Sequence, residues 1–161
     1  KRITFWPQVF LGITFSWGAL IVSAQFNQSI TLKFVLLYVA CVIWTLGYDT
    51  IYAIQDMEDD RAVGIKSSAL AFQNRVKLGI GIAYVIAIGL IGVGLFMRGY
   101  ESSKPVIFGW AGATCMAVHL GIQTYKVNIN NVIVALNLFR SNRNAGLLLV
   151  AGLMLDRVFK G

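Results

Sequence analysis

Five of the seven acidic residues in this sequence lie between positions 49 and 60. They are Asp49, Asp56, Glu58, Asp59 and Asp60, and they follow directly on a long apolar segment. Carboxylate oxygens suit magnesium, which commonly bridges one or two protein carboxylates to the phosphates of a substrate. The cluster therefore predicts a magnesium site that handles a phosphorylated substrate. The alternative interpretation is a solvated acidic loop.

The spacing of these residues indicates how they are arranged. If the preceding helix continues through the cluster, Asp49, Tyr52, Asp56 and Asp60 fall at i, i+3, i+7 and i+11, on one face. Asp56 and Asp60 would then lie one turn apart and repel each other by a few tenths of a kcal/mol. Asp49 would lie at the membrane boundary, where desolvation makes its charge more costly. A bound divalent cation would offset both effects.

Two basic residues follow the cluster. Arg61 and Lys66 could neutralise phosphate oxygens that a metal ion leaves free. They could equally be ordinary positive charges of a cytoplasmic loop, and the pattern alone leaves both interpretations open. An EF-hand is excluded, because Arg61 stands at the position of the required glycine when the loop is counted from Asp56.

The acidic cluster must be positioned by membrane helices. The chain has 161 residues, of which 57% are hydrophobic and 13% charged, too few charges to cover a soluble domain of this size. Its apolar segments approach the ~20 residues needed to cross a bilayer. Five are predicted, at about residues 7–24, 31–53, 78–97, 106–125 and 145–159. The prediction is a single domain over residues 1–161, an all-α bundle embedded in the lipid bilayer.

Several polar residues within the later segments receive structural predictions. His119 and Gln123 are expected to make interhelical hydrogen bonds. Asn142 and Asn144 are expected to cap the last helix, although Asn142 could instead approach a substrate. The apolar stretch 132–139 is either an interfacial helix or an early turn of the last span.

The net charge of +7 does not indicate nucleic-acid binding, because the basic residues are spread thinly over short polar breaks. They fit membrane orientation better, with nine on the side of residue 1 and five on the other. The first side therefore faces the cytoplasm, and it includes the acidic cluster. The nine are Lys1, Arg2, Arg61, Lys66, Arg75, Lys77, Lys126, Arg140 and Arg143, and the five are Lys33, Arg98, Lys104, Arg157 and Lys160.

Residues 48–67, YDTIYAIQDMEDDRAVGIKS, resemble the second aspartate-rich motif of the UbiA prenyltransferase superfamily. The opening YDTIYA is similar to the branch that prenylates 4-hydroxybenzoate. Segments around Pro7 and Phe139 also resemble helix starts of that branch, so the likeness covers nearly the whole chain. It implies a bundle of nine transmembrane helices, in which two aspartate-rich motifs hold Mg²⁺ against a polyprenyl diphosphate.

The resemblance also implies roles for individual residues. Asp56 and Asp60 match metal ligands, with Asp59 as a third, and Asp49 would lie deeper, near the acceptor or the cation. Lys66, with Arg61, would hold the diphosphate.

The implied reaction is ionisation of an allylic diphosphate, followed by attack of the allylic cation on a ring carbon next to a phenol oxygen. The ring of Tyr52 would stabilise the cation, and Asp49 would remove the ring proton. The catalytic residues would thus be Asp49, Tyr52, Asp56 and Asp60. The product would be an intermediate of ubiquinone biosynthesis.

The family's first aspartate motif has no counterpart in this sequence, because no acidic residue precedes Asp49. The expectation is a C-terminal portion with about five of the nine helices, inactive without its N-terminal remainder. The expected location is a bacterial or mitochondrial inner membrane, with the motif on the cytoplasmic or matrix side. Two alternatives remain: transfer to a haem, chlorophyllide or naphthoate type of acceptor, and a non-enzymatic channel or transporter with an acidic vestibule.

Overall fold

A computed structural model describes residues 3–102 and 105–159. Lys1, Arg2, Lys104 and Lys160, which the charge distribution above includes, lie outside these residues. The described residues form helices and no strand, which confirms the all-α prediction. The helices are α1 (Pro7–Phe15), α2 (Gly18–Asn27), α3 (Leu32–Ala53), α4 (Met57–Val63), α5 (Ser68–Phe72), a 3₁₀ turn (Gln73–Arg75), α6 (Val76–Ser102), α7 (Ile107–Lys126) and α8 (Val132–Phe159).

Three helical stretches of the described chain are long and apolar enough to cross a membrane: Pro7–Asn27, Leu32–Ala53 and Ser68–Ser102. They correspond to the first three predicted spans. Helices α7 and α8 are long enough, at 20 and 28 residues, but polar side chains in both lower their hydropathy. The integral membrane class is therefore confirmed, while length and composition support three of the five predicted spans.

Neighbouring long helices run in opposite directions, as contacts between their ends show. Lys33 at the start of α3 pairs with Glu101 at the end of α6. The Nζ atom of Lys77, at the start of α6, donates to the carbonyl of Tyr125 at the end of α7. The start of α6 and the end of α7 thus lie at the end of the bundle where α3 leads into α4.

Helix α3 is central, because it packs against α1, α2, α6 and α8. Its contact with α1 is close: a Cβ atom on Gly12 would lie 2.8 Å from the carbonyl oxygen of Val42. Helices α7 and α8 also touch through glycines, since a Cβ atom on Gly152 would lie 2.2 Å from the carbonyl oxygen of Phe108. Small residues are what allow membrane helices to approach this closely.

The helix does not continue unbroken through the acidic cluster, so the predicted shared face lacks its basis. Helix α3 ends at Ala53, and the amides of residues 54–57 bond to carbonyls three residues earlier, so the chain winds more tightly before α4 begins at Met57. The turn changes the register between Tyr52 and Asp56. The single face predicted for Asp49, Tyr52, Asp56 and Asp60 from a 3.6-residue period therefore does not follow.

The predicted start of the last helix, at residue 145, is also wrong. Helix α8 begins at Val132, so the stretch 132–139 forms its first turns, one of the two alternatives considered. Asn142 and Asn144 lie inside α8 and cap nothing. The polar stretch around them suggested a helix boundary, but Asn142 is satisfied inside the bundle, where its Oδ1 atom accepts from Trp44 Nε1 at 3.1 Å.

Asp156, near the end of α8, caps the start of α7. Its Oδ1 atom accepts from the amide of Phe108 at 3.1 Å, and its Oδ2 atom accepts from the amide of Gly109 at 2.7 Å. The side chain is 4% exposed. A negative charge here also complements the positive end of the α7 dipole.

We expect Asp156→Ala to lower the free energy of unfolding by about 2 kcal/mol, because it removes a helix cap and leaves the buried amide of Gly109 and the half-buried amide of Phe108 without this acceptor. Asp156→Asn keeps one acceptor oxygen, so its effect should be intermediate. Thermal unfolding of the purified protein in detergent measures both changes. An unchanged transition in the alanine variant would contradict the capping role.

Candidate functional site

The acidic residues are gathered on the short helix α4. Asp56 precedes the helix, and Asp60 lies one turn later, with its amide donating to the carbonyl of Asp56 at 2.7 Å. Asp60 is buried at 6% exposure and Asp56 is half-buried, whereas Glu58 and Asp59 are exposed. Acidic side chains in a first helical turn are favoured by the helix dipole, which accounts for Glu58 and Asp59 without any ligand. The dipole alone does not account for the burial of Asp60, because removing a carboxylate from water is costly.

A sharp turn connects α4 to the basic residue Lys66. The amide of Ile65 donates to the carbonyl of Asp60 at 2.8 Å, and Gly64 has a φ of 72°, so the helix ends in a Schellman motif. The Nζ atom of Lys66 lies 5.3 Å from the ring centroid of Phe5, within reach of a cation–π contact. The turn thus directs Lys66 toward the chain segment before α1. Arg61 lies on α4 and is exposed.

A buried polar network fixes this region to the bundle. The hydroxyls of Thr50 in α3 and Ser68 in α5 are 2.7 Å apart, and the amide of Ser68 donates to Gln8 Oε1 in α1 at 3.3 Å. All three residues are at most 2% exposed. Helix α4 and the Lys66 turn lie between Thr50 and Ser68 in the chain. The same network therefore holds the chain on both sides of the segment that contains α4 and the Lys66 turn.

Aromatic rings extend from the acidic region into the bundle. Trp44, Tyr48 and Tyr52 recur every four residues on α3, which places them on one face. The ring of Phe139 in α8 lies 4.9 Å from that of Tyr52 and 5.9 Å from that of Tyr48, and the rings of Tyr48 and Trp44 are 5.7 Å apart. The predicted residue Tyr52 is thus the outermost of three α3 rings. Asp49 lies beside Tyr48 in the chain and is half-buried.

A cavity of about 520 Å³ adjoins these rings, and no motif in the sequence predicts it. Two arginines of α8 line it, Arg140 and Arg143, to which the charge pattern assigns only a role in membrane orientation. The sequence does contain a signal for such a site, because ionisable residues within a helix of a membrane bundle usually face a cavity or the bundle interior. Further lining residues are Phe15, Ser16, Gly18, Cys41, Trp44, Thr45, Tyr48, Phe139 and Asn142.

The prediction of interhelical hydrogen bonds for His119 and Gln123 is confirmed. Gln123 Oε1 accepts from the hydroxyl of Tyr84 at 2.9 Å, and Gln123 Nε2 donates to Ser141 Oγ at 2.8 Å. His119 Nε2 lies 3.2 Å from the same serine oxygen. These bonds link α6, α7 and α8 and account for both residues without a catalytic role.

The carboxylates of the acidic region are the type of ligand that magnesium prefers, and they supply part of a magnesium site. Within residues 3–102 and 105–159, no three His, Cys, Asp or Glu side chains come together as a metal-binding group. Asp56 and Asp60 remain as two carboxylates one turn apart. Magnesium usually takes one or two protein carboxylates and completes its shell with waters and substrate phosphates, so two are enough for partial coordination.

Comparisons with known proteins agree with the resemblance seen in the motif. Residues 1–142 match the model of the UbiA prenyltransferase family. A Rattus norvegicus protein named 4-hydroxybenzoate polyprenyltransferase, mitochondrial, is 40% identical over 167 residues, which covers 99% of this chain and 42% of the rat protein. The Aedes aegypti protein of that name is 40% identical, covering 100% of this chain and 36% of its own length. The Homo sapiens protein of that name is 38% identical, covering 99% of this chain and 42% of its own length.

The chain therefore spans less than half the length of the curated relatives it matches. No solved structure matches it. The family match covers most of the chain, and it includes the acidic helix α4, the Lys66 turn and the α3 rings. On this evidence the chain belongs to the UbiA prenyltransferase family.

Proposed function

We propose that the full-length protein transfers a polyprenyl group from polyprenyl diphosphate to the ring of 4-hydroxybenzoate, a step of ubiquinone biosynthesis. The observation that carries the proposal is the match of essentially the whole chain to relatives named for this activity. The structure supports it, because the acidic helix α4 follows directly on the end of α3 that carries the Tyr52 ring.

In this proposal Asp56 and Asp60 hold Mg²⁺, with Asp59 at the solvent side as a further ligand. Additional carboxylates come from a part of the protein outside this chain. Bound magnesium would neutralise charge on the departing diphosphate. Lys66 contributes a mobile positive charge to the diphosphate oxygens from the turn after α4, and Arg61 does so from the exposed face of that helix.

The proposed path of the allylic carbon runs along the α3 rings. Tyr52 presents its ring face to the developing cation, since an aromatic face attracts positive charge. Phe139 packs against Tyr52 and limits the positions that its ring can take. Asp49, one turn deeper than Tyr52, accepts the proton that leaves the substituted ring carbon.

We also propose that the protein lies in a mitochondrial or bacterial inner membrane, with α4 on the matrix or cytoplasmic side. The relatives are named as mitochondrial. Basic residues at the α4 end of the bundle support the orientation, because positive charges concentrate on that side of a membrane. These include Arg61, Lys66, Arg75, Lys77 and Lys126.

The proposed activity can be tested in membranes that contain the full-length protein. With 4-hydroxybenzoate, polyprenyl diphosphate and Mg²⁺, we expect a prenylated 4-hydroxybenzoate, detected by mass spectrometry. Chelation of divalent ions should remove the product, and added Mg²⁺ should restore it. Cation flux without turnover would instead support the channel interpretation, and product formed only from a naphthoate or porphyrin acceptor would support a different branch.

A further inference from the structure

The cavity beside α3 and α8 has the composition of a binding site for an aromatic anion. Its volume of about 520 Å³ lies within the ~300–1,000 Å³ typical of small-molecule sites. Trp44, Tyr48 and Phe139 provide ring surfaces, and Arg140 and Arg143 provide positive charge. Flat aromatic walls suit a planar ring, and a guanidinium forms paired hydrogen bonds with a carboxylate.

The two arginines lie well inside α8. They are eight and eleven residues beyond its start at Val132, which is roughly 12 and 16 Å along the axis. Phe139, directly before Arg140, contacts both Tyr48 and Tyr52, so this part of α8 lies level with the last turns of α3. Both arginine side chains are exposed beside the cavity, where a bound anion could reach them.

Asn142, between the two arginines, is fixed by a hydrogen bond across the bundle. Its Oδ1 atom accepts from Trp44 Nε1 at 3.1 Å, and its Nδ2 atom donates to the carbonyl of Leu138 at 3.2 Å. Asn142 is buried at 6% exposure, whereas both arginines are exposed. The bond to Trp44 fixes the indole wall of the cavity relative to the segment of α8 that carries both guanidinium groups.

We propose that Arg140 and Arg143 bind the carboxylate of the aromatic acceptor and hold its ring against Trp44 and Tyr48. This inference rests on the proposed function, and it assigns the acceptor's carboxylate to residues of this chain. In 4-hydroxybenzoate the reacting carbon is next to the hydroxyl, at the end of the ring opposite the carboxylate. Anchoring the carboxylate at α8 therefore directs the reacting end toward Tyr52 and α4.

A diphosphate is the other anion that could bind two arginines. The position of the cavity favours the carboxylate, because Lys66 and the pair Asp56 and Asp60 lie beyond the end of α3, whereas Trp44 lies more than two turns inside it. The donor's phosphates would therefore lie near α4 and the acceptor deeper.

The test uses Arg140→Gln and Arg143→Gln in the full-length protein, singly and together. Each single change should raise KM for 4-hydroxybenzoate about 10-fold or more, because a charge-assisted paired hydrogen bond is lost. KM for polyprenyl diphosphate should not change. Inhibition by 4-hydroxybenzamide, which has the same ring without the negative charge, should be the same in variants and parent.

Arg157→Gln is the matched control, since it removes an exposed arginine from the far end of the same helix and should leave both KM values unchanged. If the glutamine variants do not accumulate in membranes, Arg140→Lys and Arg143→Lys test the paired geometry with the charge retained, and their KM for 4-hydroxybenzoate should still rise. Unchanged acceptor KM, or a rise confined to the diphosphate, overturns the assignment. A parent protein that does not prenylate 4-hydroxybenzoate contradicts the proposed function itself.

Discussion

Asp60→Asn in the full-length protein is expected to lower the prenylation rate by about 10²–10³-fold, comparable to the loss of one preorganised electrostatic group in an active site. Asp60 is the buried member of the carboxylate pair on α4, and Asp56 precedes it by one turn. Asparagine keeps the size of the side chain but removes the charge that would hold Mg²⁺. Asp56→Asn should have an effect of similar size.

The rate should be measured at saturating concentrations of both substrates over a range of Mg²⁺ concentrations, because a weakened metal site is partly rescued by more metal. Glu58→Gln is the matched control: it removes a carboxylate from the same helical turn, but one that is exposed and outside the proposed ligand set. Its rate should remain close to the parent's. Parental activity in Asp60→Asn, in protein that inserts normally, would remove the metal assignment and leave α4 as a solvated acidic helix.

Lys66→Ala should mainly weaken binding of the prenyl donor. We expect KM for polyprenyl diphosphate to rise about 10-fold or more, because hydrogen bonds to charged groups contribute about 1.5–3 kcal/mol. KM for 4-hydroxybenzoate should stay the same. Lys66→Arg keeps the charge and should recover most of the affinity.

Two further variants separate this role from ordinary surface charge. Lys77→Ala removes a lysine from the same end of the bundle, where its Nζ atom bonds only to a backbone carbonyl among the contacts described, and it should leave both KM values unchanged. Phe5→Leu removes the ring that faces Lys66 and should have a small effect if the diphosphate, not the ring, is the main partner. An unchanged donor KM in Lys66→Ala would leave Lys66 as a charge that orients the protein in the membrane.

Much of the fold could be predicted from the amino-acid pattern, because length and hydrophobicity act locally. The first three spans were predicted close to where helices α1 to α3 and α6 lie. The start of the last helix was not predicted correctly, since the chain has a polar stretch there that resembles a break between helices. That stretch contains Arg140, Asn142, Arg143 and Asn144. Only packing against α3 and α7 reveals that Asn142 and Ser141 have partners inside the bundle.

For the candidate site, too, some features follow from the residue types and others only from the folded structure. The type and spacing of Asp56 and Asp60 predict a hard cation and a phosphorylated substrate, since ligand preference depends on donor atoms, and that prediction awaits the rate measurements above. The tight turn between α3 and α4 could not be predicted, because three-residue turns are frequent at helix ends and residues 54–57 contain no Gly or Pro to mark one. That turn decides the direction of α4, and the contacts among Thr50, Ser68 and Gln8 hold its surroundings in place.

Composition and local motifs were enough to predict the membrane class, the family and the acidic residues that carry the proposed chemistry. The cap that Asp156 forms on α7, and the cavity that Arg140 and Arg143 share with Trp44 and Tyr48, became visible only in the folded chain. These contacts join residues that lie far apart in the sequence. Helical periodicity relates residues three or four positions apart, whereas Trp44 meets Asn142 across 98 positions, and only the packing of helices brings them together.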